Sequence, residues 1–333
     1  MQANVAERLL QHYVDKCRAL PWRSPPGSPP PDPYRVWLSE VMLQQTTVAA
    51  VAPRFRRFLD RWPTIADLAA ASDEDVLSEW AGLGYYARAR NLIACAREIA
   101  ARGIFPDSEA ELRKLPGIGD YTAAAIAAIA FGKHAVVIDA NVERIAARLY
   151  GLRNPTQSQI RDAVAAIAPM ERAGDFAQAM MDLGATICRP RDPRCGDCPL
   201  SASCAAFASG TPERFPQPKP RQAKPVRHGI AQWVERDGCV WLVRRPPNGL
   251  LGGMAALPGG DWTGEAPRID APILAHLRHV FTHFSLELSL VAADRPPADG
   301  WWQPIETLSE AGLPSLYRRA VDAILASRMG LAA

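Results

Sequence analysis

Two textures divide the chain. Up to about residue 208, Ala- and Leu-rich stretches space their apolar residues as helices do, clearest over 87–102, 121–130 and 142–149. Beyond residue 226 the apolar runs shorten and become β-prone. Residues 229–235 and 239–244 are joined through Asp237-Gly238, a hairpin signal. Residues 280–291 alternate, with Val280, Thr282, Phe284, Leu286, Leu288 and Leu290 on one face and His283, Ser285, Glu287 and Ser289 on the other. A regular strand would thus set Thr282 and His283 on opposite faces, and both can reach one point only if the strand bends or ends nearby. Between the two textures, 209–226 hold five prolines and almost nothing fit for a core, as an extended, semi-rigid linker would. The pattern therefore predicts a mainly α N-terminal domain over 1–208, a linker over 209–226, an α+β domain over 227–325 and a tail over 326–333.

Composition changes this picture little. At 333 residues two domains are expected, and 48% hydrophobic residues can fill two cores. No uninterrupted apolar run is long enough to span a membrane. A formal charge of +3 is too small to establish a nucleic-acid partner. Residues 189–227 carry eight Lys/Arg against Asp192, Asp197 and Glu213, a bias that suits phosphate contacts and equally a solvated linker.

Cysteine spacing changes it more. Cys188, Cys195, Cys198 and Cys204 pack C-x6-C-x2-C-x5-C into seventeen residues, with Pro190, Pro193 and Pro199 stiffening the loops. Two disulfides are disfavoured, because no signal peptide is evident and Cys17, Cys95 and Cys239 stand alone. A reduced, cytoplasmic setting is expected. The cage suits a four-thiolate zinc site or an iron–sulfur cluster. Its spacing is neither the paired CxxC of a zinc ribbon nor a usual ferredoxin run.

Three further sites carry chemistry. Leu115-Pro-Gly-Ile-Gly-Asp-Tyr-Thr122 sets Gly117 and Gly119 in a tight turn before an Ala-rich helix, whose first N–H groups could hold a phosphate. Asp139, in Ile138-Asp-Ala-Asn-Val142, opens a helix and reads as an N-cap with its carboxylate fixed in place. Glu40 has Val36, Trp37 and Leu43 three and four residues away on a helix, a pattern that fits either a charge paired at the helix surface or a poorly solvated carboxyl with a raised pKa. Two carboxylates in unlike environments can divide the cleavage of a glycosidic bond, one staying protonated and one ionised.

The LPGIGxYTA string matches the helix-hairpin-helix of DNA repair glycosylases. Leu20-Pro-Trp-Arg23, Val36-Trp-Leu-Ser-Glu-Val-Met-Leu-Gln-Gln-Thr46, Gly82-Leu-Gly-Tyr-Tyr-Ala-Arg88 and Met180-Met-Asp-Leu-Gly-Ala185 together resemble an adenine DNA glycosylase of the MutY type. With the cysteines, these strings cover nearly all of 20–205. Arg244-Arg-Pro-Pro-Asn-Gly-Leu-Leu-Gly-Gly253 and His279-Val-Phe-Thr-His-Phe284 resemble that family's C-terminal, Nudix-like domain. The resemblance implies excision of adenine mispaired with 8-oxoguanine or guanine in duplex DNA, by a monomer carrying one [4Fe-4S] cluster on the four cysteines. It implies that Glu40 protonates adenine N7 and handles the water, that Asp139 stabilises the oxocarbenium ion, and that Tyr121 and Asn141 hydrogen-bond these carboxyls. Adenine must be flipped out of the stack. Gln45 and Tyr85 hold the wedge positions, Trp22, Arg23 and Gln178 the adenine pocket, and Phe281, Thr282 and His283 the oxidised-guanine contact.

Departures are few. Thr282 stands where the family has Ser, Ala140 follows Asp139 where Gly is usual, and Ala177 replaces Asn beside Gln178. After Gly260 the chain lacks the acidic helix that a Nudix hydrolase needs for Mg²⁺, which leaves a binding module. A glycosylase/lyase of the endonuclease III type would need a lysine at Tyr121. A non-catalytic lesion-binding protein would have no use for both Glu40 and Asp139. Base release from an adenine·8-oxoguanine duplex separates these readings.

Overall fold

The computed structural model describes residues 2–218, 223–246, 249–297 and 299–330. Two compact units are present, Met1–Ala71 with Asn91–Pro220, and Ser72–Arg90 with Arg221–Ala333.

The first unit is helical. Its central helix, Asp120–Phe131, buries every residue from Thr122 to Ala130. A helix apolar on all sides has to be wrapped by others, and Pro33–Leu43 and Ala173–Thr186 both pack on it. Gly132, at φ 64°, ends the helix, and the Lys133 N–H returns to the Ala127 carbonyl at 2.9 Å. Pro33–Leu43 starts at Asp32, whose carboxylate accepts from the N–H groups of Tyr34 and Arg35, with Pro33 pre-set for the first turn. Tyr34 and all seven residues from Val36 to Met42 are buried, so Glu40 is carried into a core by its own helix. A second core joins Leu9 and Tyr13 of Gln2–Lys16 to Val142 and Ile145 of Ala140–Tyr150 and to Met180 and Leu183 of Ala173–Thr186.

The second unit is built on strands β1 (Val226–Trp233), β2 (Glu235–Arg236), β3 (Cys239–Arg244), β4 (Ala255–Ala256), β5 (Ile273–Val280), β6 (Ser285–Ala292) and β7 (Trp301–Pro304). One sheet runs β1-β6-β5, with β1 parallel to β6 from Val226↔Ser285 to Trp233↔Ala292. The other joins β2, β3, β4 and β7 around β3. Leu242, Leu286, Leu288 and Leu290 meet Leu316, Tyr317 and Ile324 of the helix Ser315–Gly330 in the core. The Asp237-Gly238 turn has φ 50° and 72°, as a two-residue hairpin loop of this kind requires.

Three expectations are corrected. The run 280–291 is not one strand. β5 stops at Val280, β6 begins at Ser285, and the Phe281 N–H meets the Phe284 carbonyl at 2.8 Å. A period of two is the same on both arms of a tight hairpin, so alternation cannot register a reversal. Second, the linker expected from 209 is ordered at its start. Phe215 is buried, the Gln217 N–H bonds the Arg153 carbonyl at 2.7 Å, and Arg153 lies over the Phe215 ring at 5.5 Å. One aromatic among the prolines suffices to dock it. Residues 219–222 lie outside the described residues, as do 331–333 of the expected tail, while 326–330 continue the last helix. Third, 72–90 group with the second unit rather than with 1–208. Arg244 pairs with Glu74 at 3.0 Å, Arg90 donates to the Gly252 carbonyl at 2.7 Å, and the Tyr85 and Thr282 hydroxyls are 2.7 Å apart. The segment is as helical as its flanks, so texture gave no sign of this.

Candidate active site

A cavity of about 820 Å³ in the first unit gathers most of the residues expected to act. Trp22, Arg23, Glu40, Gln45, Gly117, Gly119, Tyr121, Asp139, Asn141 and Gln178 all line it, drawn from stretches that span the first 178 residues.

Glu40 is 6% exposed. Burial pushes its carboxyl up to about 7, against the opposing pull of a Tyr121 hydrogen bond and the Arg23 charge, and with Asp139 pushing the same way. The Tyr121 hydroxyl donates to Glu40 Oε2 at 2.7 Å, and burial raises its own pKa well above the usual value. Asp139 is held differently. As N-cap of Ala140–Tyr150 it accepts from the Val142 N–H at 2.7 Å, and its other oxygen accepts from Asn141 Nδ2 at 2.9 Å. One carboxyl is therefore protonated near neutrality by dehydration, and the other is pinned by donors.

Around them, Trp22 is buried edge-on against Phe55, and Gln178 donates to the Gly174 carbonyl at 3.2 Å. Gly117 takes φ 75° with no room for a side chain, since a Cβ would lie 2.7 Å from Asn91 Cβ. Gly119 caps Asp120–Phe131 without a side-chain acceptor, and Gly119, Asp120, Tyr121 and Thr122 of this helix start line the cavity. Gln45 is exposed, at φ 55°. Phe281, Thr282 and His283 belong to the second unit, in the turn between β5 and β6, and so does Tyr85, 46% exposed at φ 49°.

Sequence reasoning missed five supporting residues. Asp182 accepts from Arg18 Nε at 2.6 Å and from Arg23 Nη1 at 2.7 Å, which fixes Arg23 beside the cavity. Asp182 sat unremarked within the quoted Met180–Ala185 string, and nothing marked Arg18. Gln44 donates to the Thr122 hydroxyl at 3.3 Å, and Met181 Sδ stands 3.9 Å from the Tyr121 hydroxyl. Arg144 holds Asn141 Oδ1 and the Gly184 carbonyl, each at 2.8 Å.

Cys188, Cys195, Cys198 and Cys204 line one small cavity with Arg148, Ile187 and Phe207, and all four are free thiols. Arg148 is 2% exposed. Its guanidinium donates to Cys188 Sγ at 3.3 Å, to the carbonyls of Arg189 and Pro190, and to the Phe215 carbonyl at 3.1 Å. Among the described residues no three His, Cys, Asp or Glu side chains are arranged to hold a single metal ion. Among the same residues no helix is long and apolar enough to cross a membrane.

The chain is similar to known proteins over most of its length. Residues 38–170 match the model of the HhH-GPD superfamily base excision DNA repair proteins, and residues 230–323 match a NUDIX domain model. The adenine DNA glycosylase of Mus musculus is 31% identical, over 93% of this chain and 76% of its own length. That of Mycolicibacterium smegmatis is 42% identical over 62% and 72%, respectively. Among solved structures, a thermostable thymine-DNA glycosylase superposes with a TM-score of 0.55 at 27% identity, covering 62% of this chain and 95% of its own. A trapped endonuclease III–DNA covalent intermediate gives 0.53 at 25%, covering 62% and 94%. The chain belongs to the MutY-type adenine DNA glycosylases, monofunctional base excision repair enzymes that hydrolyse the N-glycosyl bond of adenine.

Proposed function

We propose that the adenine removed is one mispaired with 8-oxoguanine or guanine in duplex DNA, and that Glu40 and Asp139 divide the work. The observation that carries the reading is one cavity holding a buried, dehydrated Glu40 and a donor-pinned Asp139. Glu40 gives its proton to adenine N7. The C1′–N9 bond then breaks with its electron pair moving to the purine, and the sugar cation forms beside the Asp139 carboxylate. Water adds to C1′ and returns its proton to Glu40. Tyr121, hydrogen-bonded to Glu40, keeps the acid aimed, and Asn141 does the same for Asp139. Trp22, Arg23 and Gln178 flank the flipped base. The open N–H groups after Gly119 take a DNA phosphate. Gln45 and Tyr85 enter the stack that adenine leaves.

The second unit, with 227–325 at its core, reads the opposite base through Phe281, Thr282 and His283. Their position in a turn favours this, because both polar side chains escape the opposite-face constraint of a strand. Excision of adenine opposite 8-oxoguanine, guanine and thymine under single-turnover conditions tests the mispair. Equal rates on all three would reject it.

Cys188, Cys195, Cys198 and Cys204 would hold a [4Fe-4S] cluster. Four free cysteines around one cavity supply four soft donors, and their C-x6-C-x2-C-x5-C spacing is not the paired CxxC of a zinc ribbon. When bound it supplies a rigid crosslink of the loop rather than a reacting group, since the protein fills every ligand position. Iron and acid-labile sulfide at about four each per chain are expected from such a cubane. One zinc in a colourless, active preparation would reject it.

A further inference from the structure

Tyr85 is an exposed aromatic in an unfavourable backbone conformation. Gly82, Gly84 and Tyr85 have φ of 89°, 69° and 49° within four residues, and only the glycines take such values freely. Something has to hold the turn. The Trp80 indole, fully buried, donates to the Gly84 carbonyl at 2.9 Å. Arg88, 7% exposed, donates to the Leu83 carbonyl at 3.2 Å, and its own N–H bonds the Tyr85 carbonyl at 2.7 Å. The Arg88 guanidinium also lies 5.0 Å from the Trp80 ring centre and 5.6 Å from that of Tyr85. Burial lowers its pKa only to about 10, so it stays charged at neutral pH. Dehydrating a guanidinium costs free energy, and the planar cation beneath two rings offsets part of it.

We infer that Arg88 is a positioning residue for DNA engagement: it presets the turn and the Tyr85 ring for insertion into the base stack, so that binding does not have to order them. The inference rests on Tyr85 being a wedge residue. A pre-ordered probe tightens the complex by removing an ordering cost at the moment of binding. It leaves the chemical step alone, because Arg88 does not line the active-site cavity. Lysine is a poor replacement, since an ammonium lacks the flat fork that spans a carbonyl and a ring face together.

The test is affinity for a duplex with non-hydrolysable 2′-fluoro-2′-deoxyadenosine opposite 8-oxoguanine, alongside the excision rate at saturating enzyme. Arg88→Gln is expected to raise Kd roughly tenfold, with the saturated rate within about twofold of the parent, and Arg88→Lys to recover only part of the loss. In a Tyr85→Ala background, Arg88→Gln is expected to add nothing, because the ring it positions is gone. Trp80→Phe, which removes the donor to Gly84 and shrinks one of the two rings beside Arg88, gives a smaller loss of the same kind and serves if Arg88→Gln does not fold. Additive losses in the double variant, or a saturated rate that falls as far as affinity, would overturn the inference. Should Tyr85→Ala alone bind as the parent does, it is the wedge assignment that fails, and this inference fails with it.

Discussion

Glu40 lies where hydration cannot reach it except through the cavity, and its carboxyl is pushed up to about 7 from the ordinary 4.5. Two consequences have opposite signs. In the proposed mechanism the protonated form is the acid, so base release should fall as pH rises through about 7, which single-turnover rates between pH 5.5 and 9 would display. For stability, the folded state holds this proton more tightly than the unfolded chain. The contribution is fully present below about 4.5 and lost as pH rises through about 7. Glu40→Gln should therefore abolish excision yet stabilise the fold at pH 8, by on the order of 3 kcal/mol. Denaturant melts of both proteins at pH 8 and pH 4.5 would measure this, and the advantage should shrink at the lower pH. Tyr121→Phe removes a hydrogen bond that favours the carboxylate, so the falling limb of the rate profile should move to higher pH. Glu40 was legible because its i−4 and i−3 neighbours are Val36 and Trp37. Arg18 was not, because a lone arginine is ordinary until Asp182 arrives from 164 positions away.

Helix Ala173–Thr186 reaches the site through close approach as much as through its side chains. A Cβ at Gly184 would lie 2.4 Å from Asn141 Cβ, where atoms cannot stay. Gly184→Ala should displace Asn141 and loosen Asp139. Excision should fall about tenfold or more, against a stability loss of about 1–3 kcal/mol from overpacking. A loss confined to stability would show that Asn141 does not position the carboxylate. The helices themselves were readable from spacing, and Asp120–Phe131 and Ala140–Tyr150 lie within two residues of the expected bounds. The β5–β6 turn was not, because its four residues keep the alternation of the strands beside them. The cysteine loop makes a prediction at this scale as well. Arg148 grips Cys188 and the Phe215 carbonyl with one guanidinium. Removing the iron of the proposed cluster, or Cys198→Ser, should open 209–218 to proteases while the core of the Glu40 helix stays protected in hydrogen exchange. Simultaneous loss of both would mean the two are one cooperative block.

At the scale of the whole chain, the change of texture predicts a joint over 209–226 and carries no sign that 72–90 group with the second unit. Ending the chain after Pro218 should leave a protein that cleaves adenine but scarcely prefers 8-oxoguanine over guanine opposite it. The ratio of excision rates on the two duplexes measures this, and an unchanged ratio would place lesion sensing in the first unit. The same cut deprives Glu74, Tyr85 and Arg90 of Arg244, Thr282 and Gly252. Those three pairings also bear on inheritance. A C-terminal module is ordinarily portable, since recombination can splice it behind any catalytic body. Here 72–90, which share a unit with the module, lie upstream of Asp139 in the chain, so a graft of 227–325 onto a foreign glycosylase arrives without the segment it packs with. Chimeras should regain lesion preference only when 72–90 travel with the module, and lineages that shuffle one without the other should lose it.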